Sequence, residues 1–216
     1  MLLKNLIKEV PKKFKTIEIN DLALDSRRVK RGSLFFALKG DKFNGEKFIY
    51  KATKKGAKAV ICSLNFESSN LSIPIIKVKN VKKTLSLACS KFFKKKPENI
   101  IAVTGTNGKS SVADFFYQIL SLNNIPVASI GTLGIKKKKI IKKLRLTSPD
   151  IISLHRELAE LKKSKINHVI LEASSHGLEQ GRLNGINFKA GIFTKLSPIP
   201  FPDMLNASLK SPFIEL

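Results

Sequence analysis

The chain has no tryptophan, only two tyrosines and two cysteines, and 16 acidic residues set against 40 basic ones. Each shortage narrows the possible functions. A formal charge of +24 would by itself suggest a nucleic-acid or anionic-membrane partner. Specific nucleic-acid readers, however, lean on arginine forks and stacking aromatic rings, and here 34 of the basic residues are lysine and 6 arginine. The lysines are scattered along the whole chain among isoleucines and asparagines, a compositional drift rather than a focused surface. No specific nucleic-acid partner is expected, although nonspecific adhesion at low salt is.

Cys62 and Cys89 are too few and too far apart for a disulfide framework or a zinc site. Both lie in apolar runs and read as buried free thiols, which suits a reducing compartment. No apolar run reaches about 18 residues, so no membrane span is expected. The opening MLLKNLIKEVPKKF has too short an apolar core for a signal peptide and breaks at Pro11. The expectation is a cytoplasmic, soluble monomer. A hydrophobic content of 43% over 216 residues can bury one substantial core or two small ones, and the segment pattern favours two.

What is present centres on Ile100 to Ile119, IIAVTGTNGKSSVADFFYQI. Ile100 to Val103 form a short buried-strand signal, and Val112, Phe115, Phe116, Ile119 and Leu120 recur afterwards at helical spacing. Strand, glycine loop, helix is the layout of a phosphate site. A helix start leaves backbone N–H groups without partners at the positive end of the peptide dipoles. Gly105 and Gly108 let that backbone approach polyphosphate oxygens closely. Lys109 would reach the β- and γ-phosphates, and Ser110 would offer its hydroxyl to Mg²⁺. The ordinary phosphate-loop pattern has a glycine five residues before Gly108, where this chain has Val103, and an ordinary helix-capping turn is the competing reading.

Before this loop, Ser33 to Leu38, Ala59 to Cys62 and Ile75 to Val78 read as strands and Phe48 to Lys55 as a helix stopped by Gly56. A further helix carries Val81, Leu85, Ala88 and Phe92 on one face. The alternation indicates a small α/β module over residues 1–96, ended by Lys94-Lys95-Lys96-Pro97. Leu24-Asp25-Ser26-Arg27 and Gly40-Asp41-Lys42-Phe43 border glycine turns, and short polar residues there are usually turn chemistry.

After the loop helix come a strand, Val127 to Ile130, and Gly131-Thr132-Leu133-Gly134. The tetralysine Lys136 to Lys139 reads as a solvated hairpin tip, with steering of an anionic substrate as the alternative. Thr147-Ser148-Pro149-Asp150 begins a helix with Leu154, Leu158 and Leu161 on one face. His155 reads as an exposed surface residue on that helix, and His168 as the start of the next strand. That strand ends in Glu172. A carboxylate outside the carboxyl end of a parallel strand is well placed for a metal, so Glu172 is the candidate Mg²⁺ ligand, a solvated strand-end carboxylate being the plain alternative. His176 is either a cap donor or a catalytic group. Ser174, Gln180 and Arg182 offer hydroxyl, amide and guanidinium groups to carboxylates and sugar oxygens.

Three stretches together resemble the Mur ligase family: LDSRRVKRGSLFFALKGDKFNG from Leu24, TGTNGKSS from Thr104, and LEASSHGLEQGRLNGINF from Leu171. The resemblance runs from about residue 22 to 196 and is nearest to the branch that adds the third residue of the peptidoglycan stem peptide. It implies an α/β protein with a small α/β amino-terminal substrate domain (1–96), an incomplete P-loop-type parallel-sheet ATPase domain (97–197) and a divergent tail (198–216). It further implies that Gly105, Thr106, Asn107, Gly108, Lys109, Ser110 and Ser111 hold ATP, and that Ser110 and Glu172 hold Mg²⁺. Leu24, Ser26, Asp41, Lys42 and Phe43 would hold the uridine diphosphate end of UDP-N-acetylmuramoyl dipeptide. Thr147, Ser148, Ser174, Gln180 and Arg182 would hold its muramoyl-dipeptide part. Lys109, Glu172 and His176 are the candidate catalytic residues. The implied reaction is ATP-dependent amide formation through an acyl phosphate, with diaminopimelate or lysine as the incoming amino acid. Two other readings remain: a ligase like folylpolyglutamate synthase, which the Asp25-Ser26-Arg27 segment argues against, and a noncatalytic nucleotide or nucleic-acid binding fragment.

The resemblance stops after Thr194. The family continues with an asparagine and then an Asp-His pair, whereas this chain has Lys195, and Ile199 and Pro200 occupy the pair's positions. A family lysine that assists the metal would fall near Ile214. The expectation is therefore a truncated ligase, without full catalysis from this chain alone, whose incomplete sheet leaves an unpaired strand edge.

Overall fold

The computed structural model describes residues 1–40, 44–67, 71–138, 140–142, 149–195 and 213–215, in two compact units, Met1–Phe92 and Phe93–Leu216. The first unit contains α1 (Leu3–Leu6), β1 (Asp21–Ala23), β2 (Ser33–Phe36), α2 (Ile49–Lys54), β3 (Ala57–Ser63), β4 (Ile75–Val78) and α3 (Val81–Phe92). Its four strands form one parallel sheet in the order β1-β2-β3-β4. A parallel sheet is covered on both faces, so its strands read as continuous apolar runs. Leu34, Phe35, Phe36, Val60 and Ile61 are accordingly all buried. Gly56 ends α2 with φ 96°, the left-handed conformation that glycine adopts without strain. β1 escapes a reading of periodicity because three residues cannot display one.

The second unit contains β5 (Asn99–Thr104), α4 (Lys109–Leu122), β6 (Val127–Gly131), β7 (Gly134–Lys137), β8 (Ile140–Lys142), α5 (Ile151–Lys163), β9 (His168–Glu172), α6 (Ser175–Glu179), β10 (Ala190–Phe193) and β11 (Phe213–Glu215). Its sheet runs β11-β10-β5-β9-β6-β7-β8, parallel except for the antiparallel β6-β7-β8 meander. Both units are thus α/β, as the sequence indicates. β11 lies beside β10 in parallel register, Ile192 opposite Ile214, and is the edge strand of the sheet on that side.

The two faces of this sheet are packed unequally. Ile100 and Ala102 of β5 and Val169 and Leu171 of β9 point to the face covered by α5, where Leu154, Leu158 and Leu161 complete a large core. Val103 and Ile170 point the other way, onto Ala113 of α4, with Val112 and Phe116 half-buried beside them. The apolar spacing of α4 overstates its burial, since Phe115 and Ile119 are 62% and 60% exposed.

Two further expectations are corrected. His155 is fully buried, because the turn before β10 folds over α5 and the His155 Nε2–H donates to the Asn184 carbonyl at 3.0 Å. The lysine run is not simply a solvated tip. Lys136 is half-buried, pairs with Asp114 at 2.7 Å and lies over the Tyr117 ring, which docks the β7 strand on α4. The Asp114 carboxyl is held below the usual carboxylate range, first by this Lys136 bond and then by Gln118. Lys139 lies outside the described residues.

Candidate functional site

The parallel strands β10, β5, β9 and β6 release their loops at one end of the sheet. β5 leads through α4 to β6 on one flank, whereas the chain after β9 crosses to β10 on the other. In open parallel sheets the crevice outside the carboxyl ends of strands at such a reversal is where ligands bind.

Gly108 stands at the N-cap of α4 with φ 82°, and Gly105 has φ 137°. A Cβ on Gly105 would come within 2.1 Å of Thr194 Oγ1, so any side chain there would push the loop off the end of β10. Lys109 arches back over the loop, and its ammonium donates to the carbonyls of Gly105 at 2.6 Å and Thr106 at 3.1 Å. The Thr106 N–H and hydroxyl both donate to the Lys195 carbonyl, at 3.0 and 2.7 Å. Thr194 Oγ1 lies 3.1 Å from the Thr104 carbonyl and 2.5 Å from that of Asn107, one of which takes its single proton. The end of β10 therefore holds the glycine loop from outside. Asn107, Gly108 and Ser111 are exposed.

Glu172 ends β9 and is only 3% exposed. Its Oε2 accepts from Ser110 Oγ at 2.9 Å and from Thr132 Oγ1 at 3.0 Å, and its Oε1 accepts from the Thr132 N–H at 3.2 Å. Ser110 and Glu172, assigned separately from sequence, are thus in direct contact. Among the described residues no group of three or more His, Cys, Asp or Glu could form a protein-only metal cage. A buried carboxylate beside the Ser110 hydroxyl at the mouth of a glycine loop fits Mg²⁺, which keeps waters and shares its remaining positions with phosphate oxygens.

Beyond Glu172, Ser174 caps α6, its Oγ accepting from the Gly177 N–H at 3.1 Å. The cap is therefore made by Ser174, and His176 lies exposed on the same turn. Arg182 donates from Nε and a terminal nitrogen to Gln180 Oε1, at 2.9 and 2.6 Å, so these two predicted residues are adjacent. Thr147, Ser148, Ile199 and Pro200 lie outside the described residues.

In the first unit, Leu24 to Ser26 follow β1 and Ala37 to Gly40 follow β2, so the parallel pairing sets both at the carboxyl end of these strands. Asp25 organises the first of these turns. It accepts from the Arg27 N–H at 2.8 Å and binds the Arg27 guanidinium, with Nε 3.0 Å from both carboxylate oxygens. That guanidinium holds the Asp25 carboxyl below its ordinary range. The turn leaves Leu24 half-buried and Ser26 5% exposed. Asp41, Lys42 and Phe43 lie outside the described residues. Of the residues on either side of them, Lys39 bridges to Asn44 and the Gly45 N–H donates to the Leu38 carbonyl at 2.7 Å.

Three residues at the site carried no assignment from sequence: Gly131, Thr132 and Thr194. The signal available was Gly131-Thr132-Leu133-Gly134 following a strand, a glycine-flanked hydroxyl at a carboxyl end. Thr194 gave none.

A glycine loop at the carboxyl end of a central parallel strand, facing a strand-end carboxylate, defines a P-loop-type α/β protein. Residues 103–199 match the Mur ligase middle domain, and residues 18–95 match the Mur ligase family catalytic domain. The chain belongs to the Mur ligase family. Among its relatives, the UDP-N-acetylmuramoyl-L-alanyl-D-glutamate--2,6-diaminopimelate ligase of Brucella melitensis is 43% identical over 83% of this chain and 37% of its own length. The ligase of the same name from Bradyrhizobium diazoefficiens is 44% identical over 84% of this chain and 37% of its own length. A solved structure of an enzyme with this name superposes with a TM-score of 0.76 at 30% identity, covering 92% of this chain and 41% of that one. MurF from Thermotoga maritima, solved in complex with ADP, gives a TM-score of 0.55 at 21% identity over 83% of this chain and 38% of its own, a likeness of fold. The chain thus spans under half the length of these relatives.

Proposed function

We propose that this chain carries the nucleotide-sugar and ATP sites of an ATP-dependent amide ligase of peptidoglycan precursor synthesis. The ligase joins diaminopimelate to UDP-N-acetylmuramoyl-L-alanyl-D-glutamate in the cytoplasm. The observation that carries this reading is the contact of Ser110 with Glu172 at the mouth of the glycine loop. The choice of diaminopimelate over lysine is supported by the names of the relatives.

The substrate carboxylate attacks the γ-phosphorus of ATP, the bond to the bridging oxygen breaks, and ADP leaves. The amino group of the incoming residue then attacks the acyl carbon, phosphate departs and the amine loses a proton. Lys109 exchanges the neutral carbonyls of Gly105 and Thr106 for phosphate oxygens, a stronger charge-assisted bond. Loop N–H groups and the start of α4 stabilise the transferring phosphoryl group. Mg²⁺, held by Ser110 and Glu172 with phosphate oxygens, would neutralise part of its charge. Ser26 and Leu24 face the uridine diphosphate, and Ser174, Gln180 and Arg182 the muramoyl dipeptide, with His176 beside them as a candidate catalytic group.

Calorimetric titration of the full chain tests this reading. UDP-N-acetylmuramoyl-L-alanyl-D-glutamate binds and weakens about tenfold with Ser26→Ala, and Mg-ATP binds and weakens at least tenfold with Lys109→Ala, the scale of one lost hydrogen bond to a charged group. A folded chain that binds neither ligand would overturn it, and tight oligonucleotide binding at physiological salt would replace it.

A further inference from the structure

We infer that Thr132 is a positioning residue that sets the plane of the Glu172 carboxylate for a divalent metal. β6 and β9 are parallel neighbours, with Ile130 opposite Leu171, so the residues that follow those two meet at the sheet end. There Gly131 provides space and Thr132 provides donors. A Cβ at Gly131 would lie 2.0 Å from Glu172 Oε1 and 2.3 Å from Cδ, so the carboxylate rests in the volume that any other residue would fill.

Thr132 then binds both carboxylate oxygens from one residue, its N–H reaching Oε1 and its hydroxyl Oε2. Two bonds to two oxygens of one planar group fix its rotation as well as its position. A single bond, such as that from Ser110, fixes only distance. The Thr132 hydroxyl is thus the side-chain group that aligns the remaining oxygen lone pairs of Glu172 toward Ser110 and the loop. Partners of a metal-binding carboxylate are worth about 10–100-fold in metal affinity.

This inference rests on the proposal that Ser110 and Glu172 hold the metal of bound ATP. Its test is the affinity of the full chain for ATP measured with Mg²⁺ and again in EDTA, for the wild type and for Thr132→Val, Thr132→Ser and Glu172→Gln. Thr132→Val keeps the backbone donor and volume and removes only the hydroxyl. The expected result is that Thr132→Val loses about tenfold of the affinity in Mg²⁺ and none in EDTA, while Thr132→Ser retains the wild-type difference. Equal losses in Mg²⁺ and EDTA would reveal a structural role and overturn the inference. So would an unchanged Mg²⁺ effect in Thr132→Val where Glu172→Gln abolishes it, a result that leaves the proposed function standing. If Glu172→Gln leaves the Mg²⁺ effect intact, the metal reading itself fails and the role of Thr132 with it.

Discussion

Gly131 and Glu172, on adjacent parallel strands, share one volume: a methyl carbon on the first would lie 2.0 Å from Oε1 of the second. Gly131→Ala should therefore expel the carboxylate from its place beside Ser110. Overpacking of this kind costs about 1–3 kcal/mol. The expected outcome is a lower unfolding midpoint together with loss of the Mg²⁺-dependent part of ATP affinity.

The turn that presents Ser26 has a built-in acid sensitivity. Because Arg27 lowers the folded-state pKa of Asp25, the stabilisation is present above the ordinary value of 3.8 and is lost as pH falls through the lower folded value. The pair is substantially exposed, so solvent screening keeps the effect small. Unfolding of wild type and Asp25→Asn, compared across pH, should show a small constant gap above about pH 4.5 that closes at more acid pH.

Cys62 carries the opposite sign of dependence. Burial, and next the charge of Glu46, push its thiol from 9.0 up to about 11. The folded state thus favours the protonated thiol, and the stabilisation, complete below pH 9.0, is lost as pH rises toward about 11. Cys62→Ala should flatten the decline in stability over that window. A thiol reagent at pH 7 should label Cys62 only on unfolding.

The unequal faces of the second unit make a paired prediction. Leu158→Ala, in the core against α5, should cost about 2–5 kcal/mol. Phe115→Ala, on the exposed side of α4, should stay within about 0.5 kcal/mol. Urea unfolding of the two variants measures both.

The glycine loop was legible because its chemistry is local: Gly105, Gly108, Lys109 and Ser110 fall within six consecutive residues. Glu172 was legible for a different reason, since an apolar run ending in a carboxylate marks a strand end. Neither Thr132 nor Thr194 could be found this way. Their partners lie 40 residues away at Glu172 and 90 away at Thr104, and depend on β9 inserting between β5 and β6 and on β10 lying at the other side of β5. The burial of His155 is hidden in the sequence because the charged Arg156 and Glu157 follow it directly, and its cover comes from Asn184, 29 residues on. Asp25 announced itself as a turn residue, but its grip on Arg27 is geometry that composition does not show.

The strand order also sets a timetable for synthesis. β5, the strand that feeds the glycine loop, lies between β9 and β10, both made after it. Thr104 is matched with Ala173 69 residues later and with Thr194 90 residues later. At about 5–20 residues per second, a ribosome leaves both edges of Ile100–Val103 bare for on the order of 3–14 s before the first neighbour even exists. The strand behind the glycine loop therefore waits for both of its neighbours, and the nascent chain must be kept from pairing that strand with another chain in the interval.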